Sequence, residues 1–536
     1  MKVVVFIFAL VLSSQLVQAQ KNKPGRKELL SISNNIQLDN YSEAAQQLKD
    51  LLLQFPDDPY LSMQYGLCLL NIDYKTDDAI PHLEIAKNYY SLDDRKNDKA
   101  IETRFYLAQA YHLNYRFEEA LEELMRLKDM IPAKQKSLLK QIEQEIAYNE
   151  NAIELKKNAV DFRISNLGQA INSEYDEHSP VISADESTIV FTSNRQGTGS
   201  YTSGDGLFYE DIHQAIWREG KWIPAMNIGA KINTDGNDAT CSLSADGRTL
   251  IIYRNDGLSG NLYFSNYTKD GWSTPEKFPK PINTDHAETH GSLSYDGNTL
   301  VFASDRPKGF GGSDIYISRK LPNGQWGKVM NAGPTINTVE NEESPFLSHD
   351  ERTLFFASMG HKSMGGYDIF KSKILNEEDK KWSEPQNIGY PINTPADDLF
   401  YSPTSDGQRV YFASERAGGF GRSDIYLIEF PETDERTLSV VAGFIFTEEG
   451  LPSHESRITL SKADTGEEIG YYRPHPENGK YVLIVPTGVE YKMTIETFNK
   501  VTLTKSFKVS GRLDYSSQGN ATYLDPIIVE NNKMKD

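Results

Sequence analysis

The sequence predicts three folded parts in series: an α-solenoid, a five-bladed all-β propeller and a small β-sandwich. Three observations carry this. Apolar residues recur at three- and four-residue spacing through residues 27–157, where glycine is scarce. A strand–turn–strand unit then recurs five times within residues 160–433. Short alternating runs broken by proline and glycine fill 437–530. A chain of 536 residues exceeds what one core comfortably holds, so several domains are expected.

The N-terminus comes first. Lys2 precedes a short apolar run over residues 3–12, and Val17-Gln18-Ala19 supplies a small-residue cleavage pattern. Residues 1–19 therefore read as a secretory signal cut after Ala19, and the apolar run is too short to span a bilayer. No other stretch is apolar enough to cross, which predicts an exported protein of the periplasm, the outer-membrane surface or the cell surface. Cys68 and Cys241 lie in different parts, so no disulfide framework is expected and both read as small buried apolar residues. A formal charge of -20 argues against a general nucleic-acid partner, because the phosphate backbone would repel it.

Residues 20–157 read as helical repeats. Leu107, Ala108, Tyr111, Ala120, Leu124 and Pro132 fit one unit, with Ala44, Leu48 and Pro56 in an earlier one and Gly66, Ala79 and Ala86 in a middle one. The pattern resembles about three tetratricopeptide units followed by a capping helix over 134–157. Small residues such as Ala108 and Ala120 let paired helices approach. In the register that the resemblance implies, Met63, Phe105, Gln109 and His112 fall on a concave face able to receive a protein partner; packing against the next domain is the alternative.

The repeated β unit has parts in fixed order. Its core reads SADESTIVFTS at 183–193, SADGRTLII at 244–252, SYDGNTLVFAS at 294–304, SHDERTLFFAS at 348–358 and SDGQRVYFAS at 405–414. An Ile-Asn-Thr/Ser step precedes each core, at Asn172, Asn233, Asn283, Asn337 and Asn393, spaced by 61, 50, 54 and 56 residues. Asp-Gly favours a tight hairpin turn, and the alternating strand after it buries one face. An Asp-Ile-aromatic strand starts at Asp314, Asp368 and Asp424, and a strand with Trp222, Trp272, Trp326 or Trp382 ends the unit. Four strands per copy make one blade, and material around residues 162–166 is available to complete the last. The unit resembles WD-repeat-like propeller repeats of bacterial envelope proteins, with departures in the second half of the first two copies.

The sequence offers little chemistry. The Ser-x-Asp-Gly-x-Thr core also resembles the Asp-box turn of sialidases, which is structural in that family. Arg195, Arg306 and Arg416 recur at one place in three copies, so each reads as a hairpin ion-pair partner of Asp314 or Asp424 rather than a substrate clamp. No zinc helix, nucleophile elbow or phosphate loop is present. His286 and His290 flank a strand start, where their spacing does not converge on a metal, and Asp235-Gly-Asn-Asp238 lacks a full calcium-loop spacing. No catalytic residue, metal or cofactor is therefore expected, and the chain reads as a non-catalytic scaffold. The alternative is a glycan-binding or glycan-cleaving propeller.

Residues 437–530 hold an alternating strand from Val440, Gly479-Lys-Tyr481 and a Pro486-Thr-Gly488 turn before Tyr491, and residues 531–536 read as a polar tail. This part resembles the carboxypeptidase regulatory-like β-sandwich. The whole order resembles envelope proteins that include a periplasmic component of type IX secretion and gliding systems. Many of these add an outer-membrane-protein-A-like domain that this sequence lacks. The resemblance implies envelope or outer-membrane protein partners and argues against direct peptidoglycan binding.

Overall fold

A computed structural model describes residues 24–72, 75–91, 98–197, 208–257, 259–376, 381–416, 418–431, 438–453, 455–497, 500–509 and 521–529. The expected signal over 1–19 and the tail over 531–536 lie outside these residues. The chain divides into two compact units. One holds residues 1–160 with 362–366 and 389–397; the other holds 161–361, 367–388 and 398–536.

The first unit is built on seven described helices: α1 (Arg26–Gln37), α2 (Tyr41–Gln54), α3 (Pro59–Leu70), α4 (Thr76–Tyr89), α5 (Asp98–Leu113), α6 (Phe117–Met130) and α7 (Lys136–Lys157). Each packs on the next. Asp58 starts α3 by accepting the amides of Tyr60 and Leu61 at 2.9 and 3.1 Å, with Pro59 pre-set for the first turn. Gly66 is required by close approach: a Cβ there would lie 2.5 Å from Leu83 Cγ. Leu48, Leu83, Leu107, Ala120 and Leu124 are fully buried between the helices. Segments remote in sequence join this unit. Met364 packs on Phe117 and Ala152, the Asn151 amide donates to the Ser363 carbonyl at 2.8 Å, and Val160 N–H donates to the Tyr390 carbonyl at 2.8 Å.

The second unit is all β. Five sheets follow the repeat, each opening with an inner strand: Glu177–Ile182, Asp238–Leu243, Glu288–Leu293, Glu342–Leu347 and Leu399–Pro403. Each inner strand touches that of the next sheet, and the fifth returns to the first. The second strands carry the repeated core, and the third strands, such as Asp314–Arg319, pair beyond them. In the fifth sheet the outermost place is taken by Arg163–Asn166, which pairs antiparallel with Asp424–Glu429 in the register Arg163↔Glu429.

The repeated residues explain the repeated geometry. The asparagine of each Ile-Asn-Thr/Ser step is buried, and in four copies it binds both backbone groups of one third-strand residue. Asn233 accepts from Ile212 N–H at 2.9 Å and donates to its carbonyl at 3.0 Å; Asn283 does the same to Leu262 at 2.9 and 2.8 Å, Asn337 to Ile315 at 2.8 and 3.0 Å, and Asn172 to Ile425 at 2.8 and 2.9 Å. One amide thus replaces a missing strand partner. In the hairpin turn, Gly247 and Gly297 adopt φ of 72° and 69°, while Glu186 and Glu351 hold the same left-handed place at 55° and 56°.

Two further sheets complete the unit, one around Leu438–Thr447 and Lys480–Pro486, the other around Arg457–Lys462 and Glu490–Thr497. Ile445, Leu460, Tyr481, Tyr491 and Met493 form their common core. They share a second cluster with the repeated sheets, in which Ala184 and Ala245 meet Val440, Ala442, Val482 and Ile484. The Lys480 ammonium also binds the Asp185 carboxylate at 2.7 Å, with the carboxylate fully buried.

These observations correct the expected class of α-solenoid, single five-bladed propeller and separate sandwich. Described helix is confined to seven helices, and segments from beyond residue 360 are packed into their unit. The other described residues form seven small sheets in one compact, β-propeller-like unit, six of them antiparallel and one mixed, in which Leu438–Thr447 pairs parallel with Ala521–Tyr523 and Ile527–Val529. The sequence pattern registers each strand but not the apolar contact that fuses the last two sheets to the repeated ones.

Candidate functional site

The inner strands begin with a signal the sequence reading passed over. An acid stands five residues after each repeated asparagine: Glu177, Asp238, Glu288, Glu342 and Asp398, all fully buried. Three are held by guanidinium groups: Arg195 on Glu177 at 2.7 Å, Arg254 on Asp238 at 2.5 Å and Arg306 on Glu288 at 3.0 Å. The expected ion pairs of Arg195 and Arg306 with Asp314 or Asp424 are therefore corrected. Asp314 instead accepts the amides of Phe310 and Gly311 at 2.7 and 3.0 Å, and Asp424 those of Phe420 and Gly421 at 2.7 and 2.9 Å. Both arginines also donate to an isoleucine carbonyl, of Ile171 at 2.6 Å and Ile282 at 2.7 Å, so they anchor the strands and form no substrate clamp.

The two residues after each acid come together where the inner strands meet. Every inner strand breaks register just there. Ser179, Ser344 and Phe400 take φ of 50°, 49° and 58°, sparsely populated values for residues with a Cβ. The bulges re-aim these side chains. Phe400 lies between two imidazoles, its ring centroid 5.5 Å from His178 and 5.1 Å from His290. His178 Nε2 is 3.3 Å from Glu210, and His290 Nδ1 is 2.6 Å from Glu343, which also accepts from the Thr289 hydroxyl at 2.8 Å. Side-chain exposures of 21% and 36% in the first pair and 25% and 15% in the second leave the cluster open to a ligand.

The electrostatics are set by burial working against pairing. Burial disfavours the His178 imidazolium, but the Glu210 carboxylate and Asp176 outweigh it and raise its pKa. Burial alone would raise Glu210 and Glu343; the imidazoles of His178 and His290 reverse this and hold both carboxyls below the usual range. Burial, then Glu210, Cys241 and Glu343, push the Tyr253 phenol up, which places its hydroxyl in the field of both carboxylates. Cys241 donates to the Thr289 carbonyl at 3.6 Å, and burial pushes its thiol up to about 12. The site thus offers two carboxylates held below the usual range, an imidazole whose pKa is raised and an aromatic face. No group of three or more His, Cys, Asp or Glu able to hold a metal occurs among the described residues. Asp238, from the acidic loop, is taken up by Arg254 and by the Thr234 hydroxyl at 2.7 Å.

The residues expected to receive a partner are placed elsewhere. Met63, Phe105, Gln109 and His112 are each 1% exposed. α7 covers two of them: the Gln109 amide donates to Glu145 at 3.0 Å, and His112 Nδ1 lies 3.0 Å from the Asn149 side-chain oxygen. Burial pushes the Glu145 carboxyl up to about 7 and the His112 imidazole down to about 4. Their helical register was legible, but the face they line is buried, by α7 at Gln109 and His112 and by Ala86, Tyr90 and Ala100 at Met63.

No family model and no curated protein matches the chain. Among solved structures it is similar to an α-L-arabinofuranosidase from Lactobacillus brevis, with 13% identity, 49% of this chain and 91% of that chain covered and a TM-score of 0.34. It is similar to a glycosyl hydrolase from Bacteroides ovatus, with 8% identity, 51% and 95% covered and a TM-score of 0.31. It is also similar to the GH43 protein BlXynB from Bacillus licheniformis, with 9% identity, 65% and 85% covered and a TM-score of 0.31.

The expectation of a chain that is not an enzyme is corrected, and with it the tetratricopeptide and type IX secretion description. That expectation required an inner face without converging ionisable groups. The cluster around Phe400 is such a convergence, and the buried helical face is no open repeat groove.

Proposed function

We propose that the chain acts on a glycan held over Phe400 between two histidine–glutamate pairs. One observation carries the reading: His178–Glu210 and His290–Glu343 converge on a single aromatic ring at a partly open face. A sugar needs such a mixture, an apolar surface for its ring face and fixed charged acceptors for its hydroxyls. For cleavage, the opposed directions in which these groups are shifted assign the roles. His178, whose protonated form Glu210 favours, donates a proton to the glycosidic oxygen as the bond from the anomeric carbon to that oxygen breaks. Glu343, ionised, takes a proton from the water whose oxygen forms the new bond to that carbon. The acid is assigned to the imidazole because its pKa is raised while both carboxyls are held below the usual range.

The test is a panel of arabinan, xylan and polygalacturonate oligomers, read by calorimetric binding and by release of reducing ends. Glu343→Gln is expected to retain binding within a few-fold and lose cleavage by roughly a hundredfold or more. Absence of both binding and cleavage across the panel overturns the reading. We also propose an extracytoplasmic location, supported by the signal-like residues 1–19; among described residues no helix is long and apolar enough to cross a membrane.

A further inference from the structure

A second cleft opens in the same unit, away from Phe400. It has a volume of about 1550 Å³ and lies between the second and third repeated sheets and the strands around Arg457 and Tyr472. Its walls combine cations with flat aromatic rings. The Lys320 ammonium stands 5.1 Å from the Trp326 ring centroid, and the Arg457 guanidinium 4.1 Å from that of Tyr471. Arg248 and Arg473 also line it. None of these four cations forms an ion pair among the described residues, and the buried Nε of Arg248 has no hydrogen-bond partner at all.

Of the four acids lining the cleft, Asp246, Asp296 and Glu468 are engaged, Glu468 by the Tyr471 hydroxyl, and Glu276 is exposed. Asp246 accepts from the Ser244 hydroxyl at 2.6 Å and Arg248 N–H at 3.1 Å. Asp296 accepts from the Ser294 hydroxyl at 2.5 Å and from Asn298 N–H at 2.9 Å. Asp246 and Asp296 close their own hairpin turns, and although Asp296 acts on Lys320 through space, neither forms an ion pair with the four cations. An unpaired guanidinium with an orphaned, water-excluded N–H is costly unless a ligand completes it. On a chain of formal charge -20, a cation-rich cleft is a local exception that draws anions.

We propose that this cleft binds an acidic oligosaccharide, a chain of uronate sugars. Guanidinium forks match carboxylates in two parallel hydrogen bonds, and ammonium groups meet them as point charges. The Trp326, Tyr471 and Tyr472 rings supply faces against which sugar rings lie, a requirement that a merely acidic peptide does not share. The cleft does not depend on the reading of the Phe400 cluster.

The experiment is calorimetric titration of the full chain with trigalacturonate, with a neutral trisaccharide and with a triglutamate peptide. Running it in the Phe400→Ala background isolates the cleft from the central cluster. Trigalacturonate is expected to bind at least tenfold more tightly than either control. The double variant Lys320→Ala, Arg473→Ala is expected to weaken it about tenfold or more, with an unchanged melting temperature as the check on folding. Equal affinity for the neutral sugar, tighter binding of the peptide, or no loss in the double variant overturns the proposal.

Discussion

Glu342 is the one inner-strand glutamate for which a described guanidinium is replaced by something weaker. At the Ile336 carbonyl, the counterpart of the isoleucine carbonyls bound by Arg195 and Arg306, His361 donates from Nε2 at 2.9 Å and makes no bond to the acid. Three donors remain on Glu342: Thr338 N–H at 2.8 Å and the Thr338 and Ser358 hydroxyls at 2.7 Å each. Burial nonetheless pushes its carboxyl up from 4.5 to about 7. A raised carboxyl means that the folded chain binds the extra proton, so this stabilising contribution is full below pH 4.5 and is lost as pH rises through about 7. At about 1.4 kcal/mol per unit over that interval, the loss is about 3 kcal/mol. Glu342→Gln removes the titration and leaves only a pH-independent offset. The assay is urea unfolding of both proteins at intervals from pH 4.5 to pH 7.5. Stability of the parent minus that of the variant should fall by about 3 kcal/mol across the range. Curves that stay parallel to within about 0.5 kcal/mol would refute the account of an uncompensated buried carboxyl.

Further outcomes follow from the same geometry. Lys480→Met strands the fully buried Asp185 carboxylate and should cost about 3 kcal/mol in urea unfolding, whereas the double variant with Asp185→Leu should recover most of it. Gly311→Ala places a Cβ 1.9 Å from the Glu340 carbonyl oxygen, so its melting temperature should fall by several degrees, while Gly324→Ala meets no neighbouring atom and costs only the strain of its φ of 80°. Glycan affinity at the central cluster should decline as pH rises through the raised pKa of His178, because the imidazolium loses its charge; calorimetry showing a flat profile would exclude that role. Phe400→Ala should weaken central binding about tenfold, and unchanged affinity would remove the ring from the site.

Much of the local architecture was legible because it is periodic. The Asp-Gly turn, the alternating strand and the Ile-Asn-Thr step are short-range signals with fixed spacing, and each occupies the place its chemistry requires. The buried acids at Glu177, Asp238, Glu288, Glu342 and Asp398 were equally periodic, and their constant offset from the asparagine was the signal that would have found them. The candidate site was not legible in this way. His178, Glu210, His290, Glu343 and Phe400 come from four of the five copies and occupy places where the copies differ, so comparison of repeats discards them as noise. Arg195 and Arg306 show the converse: their recurrence marked them as structural, but the partner lay on a neighbouring strand and not in the hairpin. For Met63, Phe105, Gln109 and His112, register fixed the face but could not reveal that it is buried, with α7 over Gln109 and His112 and Met63 packed on Ala86, Tyr90 and Ala100.

The placement of Arg163–Asn166 against Asp424–Glu429 has a consequence for biogenesis. During synthesis the earliest strand of the unit must wait, with its backbone amides unmatched, until its mate has been made more than two hundred and fifty residues later. Over that interval it is open to capture by a neighbouring nascent chain. A ribosome stalled between the two would release a product whose cycle gapes at one position, a natural substrate for chaperones and for strand exchange between copies.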